Sequence, residues 1–122
     1  MPLSKEIMQG GFPGSMARTI GGEVASSVSA AGTTISDATA LTKSLNVISS
    51  CASGAGVLLY NMEVNDSQEV YNDTATQCLV YPPTTSYQIN QISAGSAHIL
   101  PGYTSCVYRK VSTTQIVAYM SA

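Results

Sequence analysis

Residues 56–83 read Gly-Val-Leu-Leu-Tyr-Asn-Met-Glu-Val-Asn-Asp-Ser-Gln-Glu-Val-Tyr-Asn-Asp-Thr-Ala-Thr-Gln-Cys-Leu-Val-Tyr-Pro-Pro, and this stretch decides the fold. Three short runs rich in Val, Leu and Tyr are separated by Asn65-Asp66-Ser67 and Asn72-Asp73-Thr74, whose side chains hydrogen-bond their own backbone and favour turns. Each run is too short for an ordinary helix but suits a strand. A proline pair closes the third run, because proline cannot donate a ladder hydrogen bond. The stretch predicts three strands of an antiparallel β-module.

Further strands are predicted on both sides of this stretch. Residues 23–31 are small and β-compatible, although their alanines leave a helix as the alternative. Residues 45–51 and 97–100 also predict strands, the first with Leu45, Val47, Ser49 and Cys51 on one face. Residues 103–111 and 116–120 predict a C-terminal hairpin after a turn at Pro101-Gly102, with Thr104, Cys106, Tyr108 and Lys110 on one side of its first strand. Between them, residues 84–95 predict a long loop with one short strand. About seven to nine strands at roughly ten-residue spacing, without a convincing internal repeat, predict an all-β antiparallel sandwich or jelly-roll-like module.

The first part of the chain differs from the rest in composition and in its apolar pattern. This difference predicts an arm over residues 1–32 and the β-sandwich module over residues 33–122. Glycines and prolines interrupt the first part, and its large apolar residues follow neither a helical nor a strand period. A disordered tail is one reading, but leaving these residues exposed would be costly. We therefore predict an extended N-terminal arm that docks on a surface through Leu3, Ile7, Met8, Phe12, Met16 and Ile20.

Composition excludes several classes of partner. The chain has 122 residues, of which 10% are charged, and its net charge is -2. Nucleic-acid binding draws most of its affinity from neutralised phosphates, so this charge balance argues against a nucleic-acid partner. The largest basic cluster is the pair Arg109-Lys110, which argues equally against an anionic membrane surface. No secretory signal or transmembrane run is apparent, which predicts that the chain stays in the compartment where it is made.

No motif predicts an active site, a cofactor or a metal centre. The single histidine, His98, has no nearby nucleophile or carboxylate in the sequence and is interpreted as a structural residue. Cys51, Cys78 and Cys106 lack the close spacing of metal or redox motifs and are interpreted as buried apolar residues in a reducing cytoplasm, with a disulfide or reactive thiol as the alternative. The acidic residues of the central stretch suit solvated turns, with a calcium site as the alternative; they are Glu63, Asp66, Glu69 and Asp73.

Tyrosine is the dominant aromatic residue, with seven Tyr, one Phe and no Trp. Its ring packs well at half-buried strand positions while the hydroxyl reaches water or a partner, so we interpret these residues as structural. The alternative is a carbohydrate-binding or protein-binding surface. The tyrosines are Tyr60, Tyr71, Tyr81, Tyr87, Tyr103, Tyr108 and Tyr119.

Residues 28–121 resemble a small β-module found in structural proteins of tailed-bacteriophage virions. The resemblance lies in the order of several short segments, which are Ala38–Thr42, Leu45–Ile48, Gly56–Val57, Val70–Asn72, Leu79–Pro83, Ile89–Asn90 and Tyr108–Gln115. It implies a virion structural part without enzymatic activity. Such modules occur in capsid decoration (cement) proteins and at the tips of fibres and tails, often as trimers.

The arm favours the cement protein over the fibre tip, because a fibre tip usually follows a long shaft. Extended at about 3.3 Å per residue, thirty residues reach roughly 100 Å, enough to join adjacent capsid subunits. The resemblance thus implies binding to the major capsid protein and to further copies of the chain as a homotrimer. The implied location is the capsid surface of a virion made in the cytoplasm of a bacterial host. The alternative is a receptor-binding or glycan-binding module of a head or tail fibre.

Overall fold

The computed structural model describes residues 24–121, and every regular element in this range is a β-strand. The strands are β1 (Val24–Ala30), β2 (Thr39–Ala40), β3 (Leu45–Cys51), β4 (Gly56–Leu58), β5 (Ser67–Asn72), β6 (Cys78–Tyr81), β7 (Gln88–Ile89), β8 (His98–Leu100), β9 (Ser105–Lys110) and β10 (Gln115–Met120). The predicted all-β class is confirmed. Among these residues, the structure contains no helix long and apolar enough to span a membrane.

The strands form two sheets that share one core. The six-stranded sheet has the order β1-β3-β5-β9-β10-β7, and the four-stranded sheet has the order β2-β4-β6-β8. Through the first six strands the chain alternates between the two sheets, so that each strand lies beside the strand two places earlier in the sequence. Neighbouring strands in this part are therefore parallel, and the chain winds as a solenoid-like stack of turns.

This winding corrects the antiparallel arrangement predicted for residues 56–83. The three predicted strands exist as β4, β5 and β6, but β5 lies in the opposite sheet from the other two. Strands β4 and β6 pair in parallel, with Val57 opposite Val80. Parallel neighbours need a crossover connection, and here β5 with its two turns supplies it. Each turn of the solenoid covers on the order of twenty residues. This structural repeat is not visible as a repeat in the amino-acid sequence.

The later strands close the stack with antiparallel pairs. Strand β9 pairs antiparallel with β5 and β10, and β8 pairs antiparallel with β6. The predicted C-terminal hairpin is confirmed as β9 and β10, with Ala118 opposite Tyr108. The short strand predicted within residues 84–95 is β7, which pairs in parallel with β10. The mixture of parallel and antiparallel pairs differs from the antiparallel pairing of a jelly roll.

Alternation of side chains along the strands creates the core. In β5 and β9 every second residue is buried, and these residues face the four-stranded sheet. Burying apolar side chains from both sheets supplies the main favourable free energy of this arrangement. The buried cluster comprises Leu41, Ile48, Val57, Leu59, Met62, Val70, Cys78, Val80, Ile89, Leu100, Cys106, Tyr108 and Ile116.

The connection from β1 to β2 is set by one aspartate and one glycine. The carboxylate oxygen Oδ1 of Asp37 accepts hydrogen bonds from the backbone N–H groups of Thr33 and Thr34, at 3.0 and 2.8 Å. The hydrogen bond from Thr34 lowers the pKa of Asp37, because it favours the charged carboxylate. Gly32 has a φ of 76°, and it lies so close to this turn that a Cβ would meet the backbone of Asp37. Only glycine fits both conditions.

The strand predicted for residues 23–31 is confirmed as β1, which pairs in parallel with β3. The pairing is irregular: Val28 lies opposite Ile48, whereas Ser29 lies opposite Ser50. The extra residue in β3 changes the predicted face of Cys51, which packs against the core instead of sharing a face with Leu45. A bulge shifts the alternation by one residue. The six residues predicted to anchor the arm lie outside the described residues.

Candidate functional site

The candidate functional surface is the outer side of the six-stranded sheet, which faces away from the core. Along β3, β5, β9 and β10 buried positions alternate with less buried ones, and the latter share this side. We call it the outer face and define it by Val24, Leu45, Val47, Ser67, Glu69, Tyr71, Ser105, Val107, Arg109, Gln115, Val117 and Tyr119. Seven of these twelve residues are aliphatic or aromatic. A sheet face that meets water is usually polar, so this apolar majority makes the outer face a candidate binding surface.

The strand register shows how the apolar residues of the outer face are arranged. One row across five strands consists of Val24, Leu45, Glu69, Val107 and Tyr119. In the next row Val47 of β3 lies opposite Tyr71 of β5. Tyr119 is 56% exposed and Val24 is 58% exposed, so the two ends of the long row are the most open to solvent. Glu69 interrupts the long row, so the apolar residues form one group on β1, β3 and β5 and a second group on β9 and β10.

Two opposite charges lie within this apolar patch. Glu69 on β5 has Leu45 on one side and Val107 on the other. Arg109 on β9 pairs in register with Ser67 and Val117. Charges inside an apolar patch select partners with complementary charges, because an unmatched charge is costly to remove from water. The arrangement of apolar residues around two opposite charges is typical of a surface that recognises a protein.

The interior contains one hydrogen-bonded pair of titratable side chains that joins the two sheets. Nδ1 of His98, on β8, lies 2.9 Å from the hydroxyl of Tyr108, on β9, and their rings meet edge to face at 5.5 Å between centroids. Burial lowers the pKa of His98 and raises the pKa of Tyr108 well above its ordinary value. Both groups are therefore neutral near pH 7. The prediction that His98 is structural agrees with this placement.

The buried His98 makes stability depend on pH in the range where histidine titrates. Its pKa in the folded state lies below the value of about 6.5 in the unfolded chain, so the unfolded state binds more protons as the pH falls. We expect the free energy of unfolding to fall as the pH is lowered from 6.5 to 5. Urea denaturation followed by circular dichroism at a series of pH values measures this. The chain has no other histidine, so a His98→Gln variant should lose most of the slope; an unchanged slope would contradict the assignment.

Lys110 is the most buried charged side chain among residues 24–121, and its ammonium group makes two hydrogen bonds and a cation–π contact. Its Nζ donates to the carbonyl oxygen of Met62 at 2.8 Å and to the Tyr87 hydroxyl at 3.0 Å. It also lies 4.6 Å from the centroid of the Tyr87 ring, a cation–π contact. The Tyr87 hydroxyl in turn donates to Oδ1 of Asn61 at 2.9 Å. This network ties the loops around residues 61 and 87 to β9.

The acidic residues of the central stretch do not converge. Glu63, Asp66 and Asp73 are exposed, and Oδ2 of Asp66 accepts a hydrogen bond from the backbone of Glu63, which closes a turn. Glu69 lies on β5 instead of in a turn and belongs to the outer face. In the described part of the chain no three His, Cys, Asp or Glu side chains are placed to bind a metal ion. The calcium alternative gains no support from this geometry.

The tyrosines divide between the core and the surface. Tyr108 and Tyr81 are buried, and the hydroxyl of Tyr81 donates to the carbonyl oxygen of Thr33 at 3.0 Å. Tyr103 and Tyr119 are exposed and lie near the same end of the β9–β10 hairpin. The structural interpretation thus holds for some tyrosines, whereas two are available to a partner.

Sequence reasoning missed the outer face, although a signal for it was present. In β9 the predicted alternation is correct, with Cys106, Tyr108 and Lys110 buried. The opposite side of that strand contains Val107, and neighbouring strands contribute Val47 and Val117. Apolar residues on both sides of a strand indicate a sheet covered on both faces.

No protein-family model, curated protein or solved structure matches this chain.

Proposed function

We propose that this chain is a bacteriophage capsid decoration protein, which binds the outer surface of the shell and stabilises it. The observation that carries the proposal is the mostly apolar outer face of the six-stranded sheet, with its two opposite charges Glu69 and Arg109. The order of the sequence segments that resemble phage virion modules adds the identity of the partner, the major capsid protein. Homotrimer formation on the capsid surface is part of the same prediction.

The size of the outer face explains why an arm is needed as well. Five strands spaced about 4.8 Å apart span about 19 Å, and six residues of strand span about 20 Å. The face therefore covers on the order of 400 Å², whereas each partner in a standard interface buries about 800 Å². A second contact region is required for stable attachment. The six apolar anchors predicted between Leu3 and Ile20 would supply it.

Such binding stabilises the shell by mass action. A protein that binds the assembled lattice but not the free subunits shifts the equilibrium toward assembly. Each large apolar side chain of the arm contributes about 1.5–3 kcal/mol when it is buried, which offsets the entropy lost when the arm becomes ordered. No chemical step is involved, and rigidity of the module is the property that matters.

A matched pair of variants tests the outer face. Val107→Asp places a charge at the centre of the outer face, and Ile99→Asp places the same charge on the outward side of β8 in the four-stranded sheet. Particles made without the protein are incubated with each purified variant, and bound protein is quantified after sedimentation. We expect Val107→Asp to bind at least about tenfold more weakly, because the buried charge has no partner, and Ile99→Asp to bind as the wild type does.

Deletion of residues 1–20 tests the arm separately. We expect occupancy to fall and the particles to release their contents at a lower temperature. Circular dichroism of each variant establishes that the module is folded. The opposite pattern, with Ile99→Asp weakened and Val107→Asp unaffected, would move the contact to the other sheet, and wild-type occupancy in all three variants would refute the proposal.

The second candidate function is recognition of a host receptor or glycan at a fibre tip. Tyr103, which is 64% exposed, and Tyr119 favour it, because exposed aromatic rings stack on sugars and anchor protein contacts. Binding of the isolated protein to a glycan array or to host cells, lost in a Tyr103→Ala variant, would support this function. Capsid binding without either activity would support decoration.

A further inference from the structure

Two of the three cysteines come together at one end of the core. Cys51 is the last residue of β3 in the six-stranded sheet, and Cys78 is the first residue of β6 in the four-stranded sheet. Their separation in sequence gave no sign of this proximity. All three cysteines are free thiols in the structure.

Hydrogen-bond geometry places the Cys51 thiol beside the start of β6, where Cys78 lies. The sulfur of Cys51 lies 3.6 Å from the carbonyl oxygen of Gln77 and 3.8 Å from that of Ala55. The Ala55 oxygen also accepts the backbone N–H of Leu79, at 3.1 Å. The Cys51 sulfur therefore contacts the residue before Cys78 and the carbonyl group that binds the residue after it. The two thiols interact with each other as well, and this contact adds to burial in raising the pKa of Cys78.

The two thiols differ in access to solvent. Cys51 is half-buried, whereas Cys78 is fully buried. Cys106 is also buried, and burial raises the pKa of its thiol to about 11. Its thiol interacts with Tyr108, a residue that Cys78 also lies near. A soluble oxidant therefore reaches Cys51 first, and the thiol in contact with it is that of Cys78.

We propose that Cys51 and Cys78 form a reversible disulfide between the two sheets when the protein meets a small disulfide oxidant such as oxidised glutathione. The Cys51 thiolate attacks one sulfur of the oxidant, whose S–S bond breaks and releases one thiolate. The Cys78 thiol then loses its proton and attacks the Cys51 sulfur, which releases the second thiolate. The two cysteines lose two electrons and two protons in total, and the oxidant becomes two thiols.

The bond would lock the solenoid turns to each other. It closes the loop from residue 51 to residue 78, which contains β4 and β5, and thereby restricts the unfolded chain. The reaction is independent of capsid binding. If the chain is a virion part made in a reducing cytoplasm, the bond would form once the particle reaches an oxidising medium.

The test uses the reduced full-length protein and oxidised glutathione. After blocking of free thiols, mass spectrometry should find a peptide pair linked through Cys51 and Cys78, with Cys106 blocked as a free thiol. A Cys106→Ala variant is the matched control and should form the same bond. The oxidised protein should melt roughly 5 °C or more above the reduced one, and dithiothreitol should reverse the shift.

Variants of the pair separate the two steps. In Cys78→Ala the reaction should stop at a glutathione adduct on Cys51, and in Cys51→Ala no internal disulfide should form. Cys51 is half-buried, so its alanine variant remains informative even if Cys78→Ala fails to fold. A wild-type protein that keeps three free thiols, stops at the adduct, links Cys106 or forms only bonds between molecules would overturn the proposal.

Discussion

Replacement of Tyr108 by alanine is expected to lower the free energy of unfolding by about 3–5 kcal/mol. Tyr108 is the largest fully buried side chain among residues 24–121 and lies at the centre of β9, between β5 and β10. Removing its ring leaves a cavity between the sheets and deprives His98 of its partner 2.9 Å away. Total stabilities of small domains are about 5–15 kcal/mol, so the variant would be close to unfolding at 37 °C. Urea denaturation monitored by far-ultraviolet circular dichroism measures the change.

Two further variants separate the causes. Tyr108→Phe keeps the ring and removes only the hydroxyl, so it should lower the free energy of unfolding by about 1–2 kcal/mol. Tyr119→Ala removes the same atoms from an exposed position of the neighbouring strand and should cost under about 1 kcal/mol. A Tyr108→Ala variant as stable as Tyr119→Ala would show that the two sheets do not pack on this ring.

Much of the fold follows from local patterns in the sequence. The alternation predicted around Tyr108 is present in β9, where the side with Tyr108 is the buried one, and Pro101 and Gly102 marked the turn before it. Turn residues likewise separated β5 from β6 at the predicted place. These features depend on residues close in sequence, and turn chemistry and strand period express them directly.

The pairing of strands was not predictable in the same way. A short turn such as residues 52–55 is compatible with a hairpin and equally with a step from one sheet to the other. Side chains alternate in the same way in parallel and antiparallel strands. The parallel pairing that places Val57 opposite Val80 therefore cannot be recognised from the local sequence. The contact between Cys51 and Cys78 depends on this long-range arrangement, as does the outer face. The cysteine contact was therefore beyond local reasoning, whereas for the outer face the apolar residues on the second side of the strands were a local signal.

Asn72 shows most clearly how the solenoid places a polar residue where the sequence predicts an exposed turn. It is the last residue of β5 and is fully buried. Its Nδ2 donates to the carbonyl oxygens of Thr76, Leu100 and Pro101, at 2.8, 3.2 and 3.3 Å. Its Oδ1 accepts from the backbone and the hydroxyl of Thr74, at 3.2 and 2.7 Å. One side chain thus fixes the β5–β6 turn and attaches it to the end of β8.

Asn72→Ala is expected to lower the free energy of unfolding by about 2–4 kcal/mol, because it leaves several buried carbonyl groups with fewer donors and creates a small cavity. Asn46→Ala is the matched control: Asn46 is equally buried and lies on the adjacent parallel strand β3. Its Oδ1 has no hydrogen-bond partner within residues 24–121. The carbonyl oxygen of Lys43, to which its Nδ2 donates, also accepts from Nε2 of Gln68 at 2.9 Å and so keeps a donor.

The two asparagine variants remove the same atoms, so the difference between their free energies of unfolding isolates the hydrogen bonds. Asn46 has fewer satisfied bonds to lose, and its variant should be more stable than Asn72→Ala by at least about 1 kcal/mol. Chemical denaturation of both proteins under identical conditions measures this difference. Equal losses would mean that burial alone sets the cost. A larger loss for Asn46→Ala would mean that the turn after β5 does not depend on the Asn72 side chain.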